Sequence, residues 1–314
     1  MPSSCAPLVC DVGSGSIKIG YANGRTPKKI IPSIIGPPKH IGNDAIKNGN
    51  EIQCSFPIEG GVVRNWDDME VLFSHAIDEV KENDTNSGSR ILVTEPPLNP
   101  PYRTRNGWQK CFLKTWILKV LNPFLQHYWT ISKLLTGSTC LPLFFSINIS
   151  NQAILVLYAQ GLLSGIVIDC GEGVSQVVPV FEGFVPNHLV KRHAITGQHI
   201  TKYLSSLLQL RSNSKFISDM VTVQDIKEKL CYAAQDLEQD RRLARETTVL
   251  VEEYSLPDGT SVKVGREKFE CTEAFFQPSL LDMESPGLSD FVFDTIQECD
   301  VSTRKVLYEH IVLS

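Results

Sequence analysis

Two short stretches hold the residues best suited to chemistry. In Ile166-Val-Ile-Asp169-Cys-Gly171-Glu172-Gly173-Val-Ser175-Gln176 an apolar, β-branched run delivers an acidic residue onto a Gly-x-Gly turn. Leu8-Val9-Cys10-Asp11-Val12-Gly13-Ser14-Gly15-Ser16-Ile17-Lys18 repeats the arrangement. Glycine serves where the backbone must curl and approach an anion without a Cβ in the way, so that successive N–H groups form a nest. A carboxylate beside polyphosphate would be repelled unless a hydrated Mg²⁺ lay between them, so Asp11 and Asp169 read as residues that act on such an ion through water. Lys18, just past the first turn, can bring an ammonium to a phosphate. A single Asp-x-Gly-x-Gly is equally well an ordinary tight turn. Its repetition argues for two phosphate-gripping hairpins that face one ligand.

The rest of the chain must fold so as to present these turns. At 314 residues, 42% hydrophobic and 21% charged, it is long enough for two α/β domains or one large bilobed unit. A net charge of −5 argues against a protein that binds nucleic acid by neutralising phosphates. Nine cysteines with no Cys-x-x-Cys pair read as reduced thiols of a cytosolic protein, and the N-terminus lacks the features of a signal peptide. From Leu134 to Ile168 there is no Asp, Glu, Lys or Arg, a gap that can mark a membrane span. Gly137, Pro142, Asn148 and Gln152 break it into runs too short for that, so no membrane insertion is expected.

Periodicity places the positioning elements. Leu8–Cys10 and Ile17–Ala22 are strands of the first hairpin. Residues 33–60 are rich in turn formers and read as a small, mobile lobe. Asp67-Asp68 is expected to cap a helix whose apolar stripe is Met69, Leu72, Phe73, Ala76, Ile77 and Val80. Arg90–Val93 is a strand, and the prolines of Thr94–Pro101 predict a rigid loop. Residues 103–151 sustain no period. Gln152–Ala159 fits a helix ending at Gly161, followed by the Asp169 hairpin, with Val177–Phe181 as a strand, and by Pro186–Val190. Gly197–Leu210 is a helix with Ile200, Tyr203, Leu204, Leu207 and Leu208 on one face. Val223–Glu246 predicts one long helix, with Ile226, Leu230, Ala233, Ala234 and Leu237 inside. Thr247–Tyr254 and Thr260–Val264 flank Pro257-Asp258-Gly259 as a hairpin. Leu288–Ile296 predicts a last helix, and Val306–Ile311 leads into a β-like Ile311–Ser314.

With these residues in view the chain resembles the actin superfamily, and within it the actin-related proteins more than conventional actin. The resemblance rests on Asp11–Lys18, Gly61-Val-Val-Arg-Asn-Trp-Asp-Asp-Met69, Leu92-Val-Thr-Glu-Pro-Pro-Leu-Asn-Pro100, Leu155-Val-Leu-Tyr-Ala-Gln-Gly161 and Lys227-Glu-Lys-Leu-Cys-Tyr232. Thr247-Thr-Val-Leu-Val-Glu-Glu-Tyr-Ser-Leu-Pro-Asp-Gly259 and Phe276-Gln-Pro278 add to it. It implies an α/β, actin-like (ASKHA, ribonuclease H-like) two-lobed ATPase fold. Residues 1–159 would form the first lobe, with a shortened subdomain at 33–56, and 160–314 the second, with an outer subdomain at about 196–283. It implies ATP and Mg²⁺ as cofactors. Ser14, Gly15, Ser16 and Lys18 would hold the β-phosphate side, and Gly173 and Val174 the γ-phosphate, with Gly13, Gly171 and Glu172 also among the cofactor-binding residues. Asp11 and Asp169 would order water around Mg²⁺, and Gln152 would position the attacking water. Gly197 would line the cleft, and Lys227 and Glu228 would meet the nucleoside. The implied setting is the cytoplasm and cytoskeleton, among the subunits of the actin-related protein 2/3 complex and actin filaments, where branched filaments are nucleated.

The departures from the family pattern shape what is expected of activity. Glu172 stands where the family usually has Asp, and Gln176 replaces the catalytic His, so proton relay is lost although water can still be oriented. The long flexible loop of the small lobe is absent between Ile35-Gly36-Pro37 and Gly42-Asn43-Asp44-Ala45, and 117–151 is an unmatched insertion. The chain stops at Ser314, before the family's Gly-Gly adenine segment, so the fold is expected to be incomplete at the C-terminus, with weak ATP binding and at most slow hydrolysis. A sugar- or acetate-kinase relative on the same fold would need a base for a substrate hydroxyl, and no Asp lies in a matching motif. A truncated, degenerate relative without nucleotide activity is the third reading.

Overall fold

Alternation in Leu8-Val-Cys-Asp-Val12 makes a strand with one inward face. The computed structural model describes residues 6–37, 40–48, 54–81, 90–112, 146–211, 220–256, 259 and 261–314. In it β1 (Leu8–Val12) buries Leu8, Cys10 and Val12. With β2 (Ser16–Tyr21) and β3 (Lys29–Pro32) it forms an antiparallel meander. The turn-rich stretch that follows yields small pieces: β4 (Ile35–Gly36) paired with β5 (His40–Ile41), α1 (Asn43–Asn48), and β6 (Ile58–Glu59) paired with β7 (Val62–Val63). Residues 38–39 and 49–53 of the expected small lobe lie outside the described residues.

Helix α2 (Trp66–Lys81) buries all six residues of its predicted stripe. The cap differs from expectation. Asn65 accepts from the N–H groups of Asp67 and Asp68 at 3.1 and 3.2 Å, while the two aspartates occupy the first turn, where their charge suits the helix dipole. The prolines also act otherwise than predicted. β8 (Arg90–Glu95) runs past Val93, and Pro101 opens α3 (Pro101–Phe112) instead of extending a loop, because the first helical position needs no N–H. Trp66 and Phe73 meet Trp108 edge-on at 5.5 Å between centroids. Gly107 makes room for this: a Cβ there would fall 2.1 Å from the Trp66 ring. In the stretch without a period, β9 (Ser146–Asn151) pairs parallel with β8, whereas 113–145, most of the unmatched segment, lie outside the described residues.

Helix α4 (Gln152–Ala159) ends as predicted at Gly161, whose φ of +75° suits glycine. The second hairpin is β10 (Gly165–Cys170) and β11 (Ser175–Val180), joined by β12 (Lys191–His193). Pro186–Val190 holds a single 3₁₀ turn, Asn187–Leu189. α5 (Gly197–Arg211) buries Ile200, Leu204 and Leu208. The single helix predicted over 223–246 is two, α6 (Met220–Leu230) and α7 (Leu237–Glu246). Two causes break it. Tyr232 donates its N–H to Lys268 O at 3.3 Å and accepts from Thr272 Oγ1 at 2.8 Å, while Asp236 starts a new helix by accepting from Gln239 N–H. Ala233, predicted inside, is consequently exposed.

The chain continues with the hairpin β13 (Glu252–Ser255) and β14 (Ser261–Val264), whose turn residues 257, 258 and 260 lie outside the described residues. Next come α8 (Glu267–Glu273), α9 (Leu288–Glu298) and α10 (Val301–Glu309). Val306–Glu309 is thus helical rather than a lead into a strand. β15 (Ile311–Leu313) pairs parallel with β10.

Two compact units result, Met1–Leu155 and Val156–Ser314. The main sheet of the first runs β3-β2-β1-β8-β9 and that of the second β12-β11-β10-β15. In each, an antiparallel meander is extended beside its first strand by a parallel strand that arrives later in the chain. The core of the first unit joins this sheet to α2 and α3. In the second, Ile166, Ile168 and Val177 pack with Val292, Ile296 and Leu307, and a separate cluster joins α5, α6, β14 and α8. No helix among the described residues is long and apolar enough to cross a membrane.

Candidate functional site

The two Asp-x-Gly-x-Gly turns have the same geometry. In the first, Gly13 donates its N–H to Ser16 O at 3.1 Å, and a Cβ on Gly13 would fall 2.9 Å from that oxygen. In the second, Gly171 donates to Val174 O at 2.9 Å, and a Cβ would again meet it at 2.9 Å. Gly173 and Val174 complete this second turn. Asp11 pairs across the first hairpin with Lys18, as Asp169 does across the second with Gln176. The repeat read from the sequence is therefore a repeat of backbone, with Lys18 and Gln176 at equivalent places.

Around the first turn, Ser33 donates its hydroxyl to Gly13 O at 2.8 Å and its N–H to Gly15 O at 3.0 Å, and Ser14 Oγ accepts from Gly61 N–H at 3.1 Å. Asp11 Oδ1 accepts from Thr94 Oγ1 at 2.5 Å and from Gln152 Nε2 at 2.9 Å, while Lys18 Nζ lies 3.9 Å from Oδ2. Both Lys18 and Asp11 are partly exposed, so this pair is weak and leaves the ammonium able to serve an anion. Thr94, buried at the end of β8, also receives the Val12 N–H at 3.3 Å and the Gln152 amide at 3.3 Å. Sequence reasoning placed Thr94 in a loop and missed it. No local signal marked it, since its hydroxyl reaches Asp11 only because β8 pairs with β1.

Around the second turn, Gln176 Nε2 donates to Asp169 Oδ2 at 3.1 Å, and Gln176 is buried with its Oε1 lacking a hydrogen-bond partner. Glu172 Oε2 accepts from Lys227 Nζ at 2.8 Å, and the same ammonium donates to Gly197 O at 3.1 Å and to Thr201 Oγ1 at 2.8 Å. The start of α5 docks directly on this turn, Gly197 N–H on Gly171 O and Gln198 N–H on Glu172 O, both at 3.0 Å. A Cβ on Gly197 would lie 2.6 Å from Glu172 Oε2 and 3.0 Å from Glu172 Cα, which explains the glycine. Glu172, Gly197 and Lys227 thus form one group. Glu228 is not part of it: exposed on α6, it accepts from Gln224 at 2.9 Å. No group of three or more metal-ligating side chains occurs among the described residues.

A meander whose first turn is a glycine cradle beside a carboxylate, occurring in both units of an α/β chain, is the arrangement of the actin fold. The sequence profile of the actin family matches residues 3–125 and 143–314, leaving 126–142 between the two stretches. The chain belongs to the actin family. Among curated relatives, actin-related protein 2 of Drosophila melanogaster is 42% identical over 98% of this chain and 75% of its own length. Actin-related protein 2 of Schizosaccharomyces pombe is 41% identical and that of Saccharomyces cerevisiae 39%, each over 98% of this chain and 76% of the relative.

Proposed function

We propose that this chain is an ATP- and Mg²⁺-binding actin-related protein that joins the other subunits of the actin-related protein 2/3 complex and, with actin filaments, takes part in nucleating branches in the cytoplasmic cytoskeleton. The observation that carries the nucleotide reading is the matching pair of glycine cradles, each too tight for a Cβ and each beside a carboxylate at the same register. Membership of the complex rests on the similarity to the named relatives.

The residues present fit these ligands. Asp11 and Asp169 are single carboxylates, each the one acid of its turn to be bound by a neutral amide, which suits an ion that keeps its water shell. ATP supplies the phosphoanhydride, and Mg²⁺ neutralises its charge. The N–H groups of the Ser14–Ser16 turn and Lys18 bind the β-phosphate side, and Gly173 and Val174 the γ-phosphate side. Thr94 and Gln152 hold Asp11 through Oδ1, and Oδ2 would be the oxygen to meet the ion's water. Gln152 would position the attacking water, Gly197 would line the cleft, and Lys227, with Glu228 beside it on α6, would meet the nucleoside.

Hydrolysis on this fold works by placement and electrostatics with water as nucleophile. Gln176, an amide fixed on Asp169, cannot accept a proton as an imidazole can. The chain therefore acts as a nucleotide clamp with slow turnover. Titration with a fluorescent ATP analogue, with and without Mg²⁺, together with affinity capture of the tagged chain from cells, tests this. Saturable binding that requires Mg²⁺ and recovery of the other complex subunits are expected. Absence of binding, or recovery of the chain alone, contradicts the corresponding half of the proposal.

A further inference from the structure

A second chemical site lies among the cysteines of the second unit. Cys231, half-buried, directly follows α6, and Cys271, fully buried, lies in α8; their sulfurs are 3.6 Å apart and both are free thiols. The backbone around them is already fastened by the two hydrogen bonds that Tyr232 makes with Lys268 O and Thr272 Oγ1. A disulfide needs about 2.05 Å between sulfurs, so bond formation asks for an approach of about 1.6 Å, within reach of side-chain rotation and a small shift.

The two thiols differ in a useful way. Cys271 donates its S–H toward the Cys231 sulfur, and the ammonium groups of Lys227 and Lys268 add to this, so that Cys231 is held below the usual thiol range against the effect of burial. The same pairing, with burial, pushes Cys271 up. Burial also pushes up Cys10, Cys170 and Cys299. Of these five thiols, Cys231 alone combines a lowered titration range with partial access, which makes it the nucleophile of the pair.

We propose that Cys231 is a thiol-modification site that reacts with a low-molecular-weight disulfide of the glutathione class and is then resolved by Cys271, leaving an internal disulfide. In the first step the Cys231 thiolate attacks one sulfur of oxidised glutathione. The reagent's S–S bond breaks, a mixed disulfide forms, and the departing glutathione thiolate takes up the proton that Cys231 released. In the second step the Cys271 sulfur attacks the Cys231 sulfur and expels the second glutathione, which leaves with the Cys271 proton. Two protein thiols are oxidised by two electrons, and one glutathione disulfide is reduced to two thiols. The cross-link spans 40 positions in sequence, enclosing α7 and the β13–β14 hairpin, and pins the end of α6 about one turn beyond Lys227.

The test is incubation of the full chain in glutathione buffers of graded poise, rapid alkylation and peptide mass mapping. The expected result is a cross-linked Cys231–Cys271 peptide that appears before any other cysteine is modified and that reverts with reduced glutathione. Cys271→Ala is expected to accumulate glutathione on Cys231, and Cys231→Ala to leave Cys271 free. Recovery of Cys231 and Cys271 as alkylated thiols in fully oxidised glutathione, or first modification at a different cysteine, overturns the proposal. Mapping of the unsubstituted chain decides the matter alone if either variant does not fold. The nucleotide reading does not enter this argument, so failure here leaves it untouched.

Discussion

Replacing Lys227 by Met keeps the apolar stem and removes an ammonium that makes three hydrogen bonds, to Glu172, Gly197 and Thr201. The side chains of Lys227 and Glu172 are 14% and 18% exposed, so the carboxylate left behind is poorly solvated. Breaking a fully buried pair costs about 3–5 kcal/mol and a surface pair about 0–1 kcal/mol, which places this one near 2–3 kcal/mol. For a unit of this size that lowers the unfolding midpoint by about 4–12 °C. Glu172→Gln removes the stranded charge, so the double variant should recover part of the loss, with a coupling of about 1–2 kcal/mol. Thermal unfolding followed by circular dichroism reads all four corners of the cycle. A Lys227→Met midpoint within about 1 °C of the parent, or strictly additive losses, would refute the reasoning that this group clamps α5 and α6 to the second turn.

Gly13→Ala and Gly171→Ala each drive a Cβ to 2.9 Å from a backbone oxygen that cannot swing aside, and each should weaken ATP binding at least about tenfold in a fluorescence titration. Gln176→His restores a group able to take a proton; phosphate release should rise at least about tenfold while ATP affinity changes little, and an unchanged rate counts against a proton-relay deficit. Burial and then the charge of Asp169 push the Cys170 thiol up to about 11, so its alkylation at pH 8 should run about a hundredfold slower than that of an ordinary thiol. Because the folded state holds this proton more tightly than the unfolded one, the associated stability is complete below the ordinary thiol range and is lost as pH rises through about 11, which an alkaline unfolding series checks.

Elements that carry their own local signal were legible in the sequence. The two hairpins, the α2 stripe and the Gly161 stop depend on strand alternation, helical period and a positive φ, all written in neighbouring residues. What escaped was set by partners far along the chain. The break between α6 and α7 needs Lys268 and Thr272 to bind Tyr232, and a 3.6-residue period across 223–246 says nothing of them. β9 does alternate, Ser146-Ile-Asn-Ile-Ser-Asn151, but over only six residues at the end of a long stretch without a period, and its place is fixed by pairing with β8. At the site, Asp11, Glu172 and Lys227 could be singled out by residue type and resemblance. Thr94 and Thr201 could not, since a threonine acquires its role only when folding brings it to a carboxylate or an ammonium.

The most direct test of the central claim is calorimetric titration of ATP into the chain with Mg²⁺, in parallel with Asp11→Asn and Asp169→Asn. One-to-one binding that depends on Mg²⁺ and weakens at least about tenfold in each variant is the predicted result. Binding of equal strength in both variants, or none in the parent, would contradict a Mg²⁺-dependent role for the two hairpins.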